Sequence, residues 1–125
     1  MRCRVAVVRL VLLVLVLTIT TGACGGGGSS RSAADATPVT GVTEVVAKNL
    51  RFQPPAIQVP AGTEVTWRFD DGPVPHDVKG DGFASKTQSR GTFSHRFTQA
   101  GEFRYKCTLH AGMEGRVVVA AGDNG

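Results

Sequence analysis

The sequence predicts an all-β fold, a Greek-key β-sandwich, and three observations carry that expectation. Short runs of alternating apolar and polar residues recur from Val42 onward, Gly, Pro and Asp separate them, and no stretch keeps a helical period long enough to pack as a helix. Ile57 and Val59 share one face ahead of a turn at Pro60-Ala61-Gly62. Val65, Trp67 and Phe69 then alternate with Thr66 and Arg68. Phe93, His95 and Phe97 alternate with Thr92, Ser94 and Arg96, and Phe103, Tyr105 and Cys107 follow a second turn at Gln99-Ala100-Gly101. Val117 to Val119 close the series. Segments at this spacing, seven in about 80 residues, suit two packed antiparallel sheets. A domain so small buries only about 60% of its unfolded surface, so a staple such as a bound metal would help it.

Length and charge exclude several functions. At 125 residues the chain holds one small domain, too little for two catalytic domains or for a nucleotide-binding fold with a substrate domain attached. It carries 14 Lys+Arg against 10 Asp+Glu, but Arg2, Arg4 and Arg9 precede a long apolar run, leaving 11 against 10 beyond residue 23. A domain that close to neutral gives no electrostatic reason to expect a nucleic-acid partner.

The first 23 residues read as an address. Three arginines lead into an apolar stretch from Val11 to Ile19, shorter than the roughly 20 residues that span a bilayer. Thr21-Gly22-Ala23-Cys24 follows and looks like a bacterial lipobox, with cleavage before Cys24 and lipid added to its sulfur. Residues 1–23 are therefore expected to be a lipoprotein signal peptide and residues 24–40 a lipid-anchored, flexible Gly/Ser linker. Residues 41–121 form the β domain and 122–125 a disordered tail. Of the three cysteines, Cys3 leaves with the signal peptide and Cys24 takes lipid, so Cys107 is left without an intrachain partner.

Cys107 opens the most informative stretch, Tyr105-Lys106-Cys107-Thr108-Leu109-His110-Ala111-Gly112-Met113, a C-x2-H-x2-M pattern. A thiolate, an imidazole and a thioether on one short loop are a soft ligand set, which selects copper over magnesium, calcium or manganese. His76, in Pro73-Val74-Pro75-His76-Asp77-Val78, supplies a second imidazole from a separate strand after a proline-stiffened turn. Two His and one Cys in a plane with a weak axial Met make a blue-copper electron-transfer centre. Each residue alone would be ordinary core or surface; their combination in this order is not. A zinc finger would need further Cys or His at short spacing, and covalent haem would need C-x-x-C-H. His95, on the face of Phe93 and Phe97, reads as a core or edge histidine rather than a ligand.

From Val42 to Ala120 the chain resembles the cupredoxins, the plastocyanin and azurin superfamily, with a ligand loop spaced like that of the amicyanins. Three blocks carry the likeness: Val59 to Trp67, Pro75 to Val78 and Gly101 to Gly115, the last being the most specific. The resemblance implies an eight-stranded sandwich holding one type 1 copper at one end through His76, Cys107, His110 and Met113. It also implies one-electron shuttling between Cu(II) and Cu(I). Many members of the superfamily place Asn two residues after the tryptophan to lock the ligand loop; this chain has Phe69 there, so the lock must come from Asp70 or another group.

The reading that follows is a monomeric electron carrier, not an enzyme, anchored through Cys24 to the outer face of a bacterial cell membrane or periplasmic. It would dock transiently with redox donors and acceptors through the His110 edge, with Leu109, Ala111, Gly112, Pro73 and Pro75 as an apolar patch. A copper-delivery protein is the alternative from another class, and a metal-free binding sandwich a third.

Overall fold

A computed structural model describes residues 31–122; the expected signal peptide over 1–23, the lipid acceptor Cys24 and residues 123–125 lie outside them. The strands are β1 (Val39–Thr40), β2 (Glu44–Lys48), β3 (Arg51–Gln53), β4 (Ala56–Pro60), β5 (Thr63–Asp70), β6 (Lys79–Gly80), β7 (Phe83–Ala84), β8 (Arg90–Phe97), β9 (Gly101–Lys106) and β10 (Glu114–Ala120). They form a six-stranded sheet in the order β1-β4-β10-β9-β6-β7 and a four-stranded sheet in the order β3-β2-β5-β8. The chain is thus the expected all-β sandwich. It changes sheet after β1, β3, β4, β5, β7 and β8, which is the Greek-key way of burying one face of each sheet on the other.

Two details differ from the expectation. The sheets are mixed, because β1 with β4, β4 with β10, and β2 with β5 pair in parallel. Alternation reports which face a side chain takes but not strand direction, and a chain that crosses between sheets returns beside earlier strands running the same way. Among the described residues the strands also number ten, since β1, β6 and β7 have two residues each and are too short to show any period.

The core follows the alternation. Ile57 and Val59 on β4, Val65, Trp67 and Phe69 on β5, Phe97 on β8, Tyr105 on β9, and Val117 and Val119 on β10 are all buried, with Phe93 and Phe103 partly so. Trp67 sits at the centre, its ring 5.2 Å from Tyr105, 5.6 Å from Phe93 and 5.8 Å from Phe83 by centroid. Aromatic contacts at these spacings add about 0.5–1.5 kcal/mol each to what area burial supplies. His95 faces Val65 across the β5–β8 ladder and stacks on Phe83 at 4.9 Å, an edge histidine as expected.

The segment ahead of the domain departs further. Part of the stretch expected to be flexible linker is docked: Ala33–Asp35 form a 3-10 turn capped by Ser32, and Ala34 is buried. Arg104 donates to the Asp35 carboxylate at 2.6 Å, and Arg116 donates to the Ala36 carbonyl at 2.9 Å. Small polar residues look like linker in any sequence; the partners that fix these ones lie 69 and 80 positions away.

Packing around Tyr105 yields a test. Gly115 lies directly opposite Tyr105, and a Cβ there would fall 2.3 Å from the buried phenol ring. Gly115→Ala should lower stability by about 1–3 kcal/mol through overpacking, read from urea unfolding. An unchanged midpoint would mean that Tyr105 is not fixed there.

Candidate metal centre

Two connections at one end of the sandwich build the site. Residues 71–78 link β5 to β6, and residues 107–113 link β9 to β10. In the first, Pro73 and Pro75 restrict the backbone on the approach to His76. His76 is then pinned by a two-way bridge to Gln88, with N–H to carbonyl distances of 3.0 and 2.9 Å. In the second, the Cys107 amide donates to the Met113 carbonyl at 2.9 Å and the Met113 amide to the His110 carbonyl at 3.3 Å. That reversal puts Gly112 at φ +78°, a left-handed conformation that glycine adopts without steric cost.

Three of the four donors expected from the sequence meet here. Cys107 Sγ lies 3.9 Å from His76 Nδ1 and 3.5 Å from His110 Nδ1, and the three donor atoms all fall within 4.8 Å of one another. Bonds of about 2.0–2.3 Å to one ion at the centre of a trigonal set would separate its ligands by about 3.5–4 Å, so this spacing fits a metal. Soft sulfur with two imidazoles suits copper. Met113 is 1% exposed and lines the same depression, a hollow of about 320 Å³ beside Cys107, His110, Ala111 and Gly112. His76 is fully buried at 0%, whereas His110 is half-buried at the rim. His95 takes no part in the cluster.

Two carboxylates that sequence reasoning missed hold this arrangement. Asp71 Oδ2 is 2.9 Å from His76 Nε2 and also accepts from the Leu50 amide at 3.1 Å. The Leu50 amide and then the His76 ring hold the Asp71 carboxyl below its ordinary value, so it is ionised at neutral pH and only accepts. Nε2 must therefore carry the imidazole proton, which leaves the Nδ1 lone pair facing Cys107 for a metal. Leu50 meets Asp71 from a tight turn in which Asn49 and Leu50 both have positive φ, 54° and 56°. A left-handed leucine costs about 1–2 kcal/mol, and the hydrogen bond to Asp71 helps offset it.

Asp77 is the second carboxylate. Oδ1 accepts from the Thr108 amide at 2.7 Å and Oδ2 from the Thr108 hydroxyl at 2.5 Å, tying the His76 loop to the residue after Cys107. Burial pushes its carboxyl up, but the hydrogen bonds from Thr108 outweigh burial and hold it below the ordinary value. Asp77, rather than Asp70, is thus the group that ties down the ligand loop. Asp70 instead points outward, 2.9 Å from Arg68. The available signal was the pair of acidic residues bracketing His76 in a proline-rich loop, at positions five before and one after.

Asp71→Asn should weaken copper(II) binding by about 10–100-fold, measured by competition with a chelator, because an amide is an uncharged acceptor that no longer fixes the imidazole tautomer. An affinity equal to that of the parent chain would show that Asp71 does not orient His76.

Comparison with known proteins agrees with the chemistry. The family model of copper binding proteins, plastocyanin/azurin family, matches residues 39–120. The chain is 37% identical over 88 residues to amicyanin-alpha of Methylorubrum extorquens, covering 62% of this chain and 71% of that protein. It is 32% identical over 85 residues to the chloroplastic plastocyanin of Tetradesmus obliquus, covering 56% of this chain and 59% of the relative, less than two thirds of its length. Among solved structures it superposes on a purple cupredoxin from Nitrosopumilus maritimus with a TM-score of 0.58 and 27% identity, over 63% of this chain and all of the other. A sandwich of this topology, with Cys, two His and Met gathered at one end and copper as its cofactor, belongs to the plastocyanin/azurin family of copper binding proteins.

Proposed function

We propose that the chain is a blue-copper electron carrier working outside the cytoplasm, held at the membrane by lipid on Cys24, with one copper bound through His76, Cys107, His110 and Met113. The observation that carries this reading is the convergence of one cysteine sulfur and two imidazoles within 4.8 Å, at the end of a rigid sandwich. Copper bound there supplies one-electron exchange between Cu(II) and Cu(I). The chain's own part is to prevent its ligands from rearranging. Cys107 is fixed by the β9–β10 pairing, His76 by Gln88 and Asp71, and the loop between them by Asp77.

His110 is the ligand candidate at the surface, and the residues around it suit brief docking. Leu109 is 47% exposed, and Ala111, Gly112, Pro73 and Pro75 are exposed as well. A small apolar rim gives contact without a large buried area, as transient redox encounters require. The carrier works as a monomer that meets donor and acceptor in turn. Delivery of copper to a partner would require ligands that open; a fully buried His76 locked to Asp71 and a buried Met113 favour retention. The chain has three histidines, and His95 is packed on Phe83, so no second histidine-rich copper site is available for oxidase or reductase chemistry.

Copper(II) added to residues 37–125 should produce an intense thiolate-to-copper visible band and a narrow EPR hyperfine splitting, both abolished by Cys107→Ser. Colourless, loosely held copper would sink the carrier reading. His110→Gly should open the coordination sphere and alter both spectra; unchanged spectra would remove His110 from the ligand set.

A further inference from the structure

The docked segment ahead of β1 determines where a tether leaves the domain. The Ser32 hydroxyl donates to the carboxylate of Glu114, the residue that directly follows Met113. From Ser32 the chain passes through the Ala33–Asp35 turn, held by Arg104 and Arg116. It then reaches β1, which pairs in parallel with β4, itself parallel to β10. Because β10 starts at the metal loop and runs away from it, β1 runs away from it too. The chain therefore comes in beside the metal loop.

We infer that the tether leaves the domain at its metal end, so that the anchored chain holds its copper close to the bilayer, within reach of a partner whose redox centre lies at the membrane surface. The inference rests on the reading of Cys24 as lipidated. Covalent geometry sets the scale. Ser32 is the eighth residue after Cys24, and a chain spans at most about 3.6 Å per residue, giving a leash of about 29 Å. Were the segment free as far as Val39, fifteen residues would reach about 54 Å. Attachment at the opposite end would add the length of the sandwich, about 24 Å for a seven-residue strand such as β10. Docking thus turns a long tether into a short one and fixes which end it holds.

The Asp35–Arg104 pair is half-exposed and weak by itself. Buried Ala34 is the firmer point, because an arginine there would exchange a packed methyl group for a charge beside Arg104. Ala34→Arg with Asp35→Arg should therefore free the segment while leaving every candidate copper ligand in place.

The test uses the full chain, processed in a lipoprotein-competent bacterial host, loaded with Cu(II) and reconstituted into phosphatidylethanolamine/phosphatidylglycerol vesicles carrying nitroxide-headgroup lipid. Pulsed dipolar EPR between copper and nitroxide should give short, narrow distances for the parent chain and longer, broader ones for the double variant, and Cys24→Ala should not bind the vesicles. Superimposable distributions for parent and double variant, with the parent bound to vesicles, would overturn the inference alone. A parent chain that stays in solution would overturn the lipid anchor and, with it, the inference.

Discussion

A cysteine sulfur and two imidazoles are brought within 4.8 Å of one another in a mostly buried pocket, and the rest of the molecule is organised around keeping them there. Their separation suits a single small ion, and their softness suits copper. Cu(II) and Cu(I) prefer different geometries, so a carrier benefits when the protein, rather than the metal, sets the ligand positions. The sandwich meets that demand by drawing the donors from strand ends. Cys107 and Met113 are the two ends of the loop joining β9 to β10, and His76 lies in the connection from the other sheet, so inter-sheet packing fixes the distance between them.

The two carboxylates convert that packing into orientation. Asp71 chooses the His76 tautomer and connects it to the Leu50 turn of the four-stranded sheet. Asp77 reaches across to Thr108 and prevents the ligand loop from lifting off. A carboxylate hydrogen-bonded to a ligand imidazole also makes that imidazole a better donor, which favours Cu(II) over Cu(I). The same groups that position the ligands therefore bear on the potential. Positioning and tuning are here one set of contacts.

The all-β fold and the donor-bearing loop were legible because both are written locally. Trp67 and Phe69 alternate with Arg68 on one strand, and Cys107, His110 and Met113 fall within seven residues. What the sequence could not show depends on distant partners. Strand direction, and hence the parallel pairing of β4 with β10, leaves no mark on alternation. The role of Asp77 appears only once Thr108, 31 residues later, is beside it. Ser32 to Ala36 looked like linker because small residues are silent about docking, and the arginines that hold them, Arg104 and Arg116, lie far along the chain.

The central claim is that the protein holds its copper ligands in one arrangement through both oxidation states. Copper K-edge X-ray absorption on the reduced and oxidised forms of the loaded domain measures this most directly. The same ligand set should appear in both, with bond lengths conserved within about 0.2 Å. Loss of a ligand or a larger rearrangement on reduction would contradict the claim and favour a protein that releases its copper.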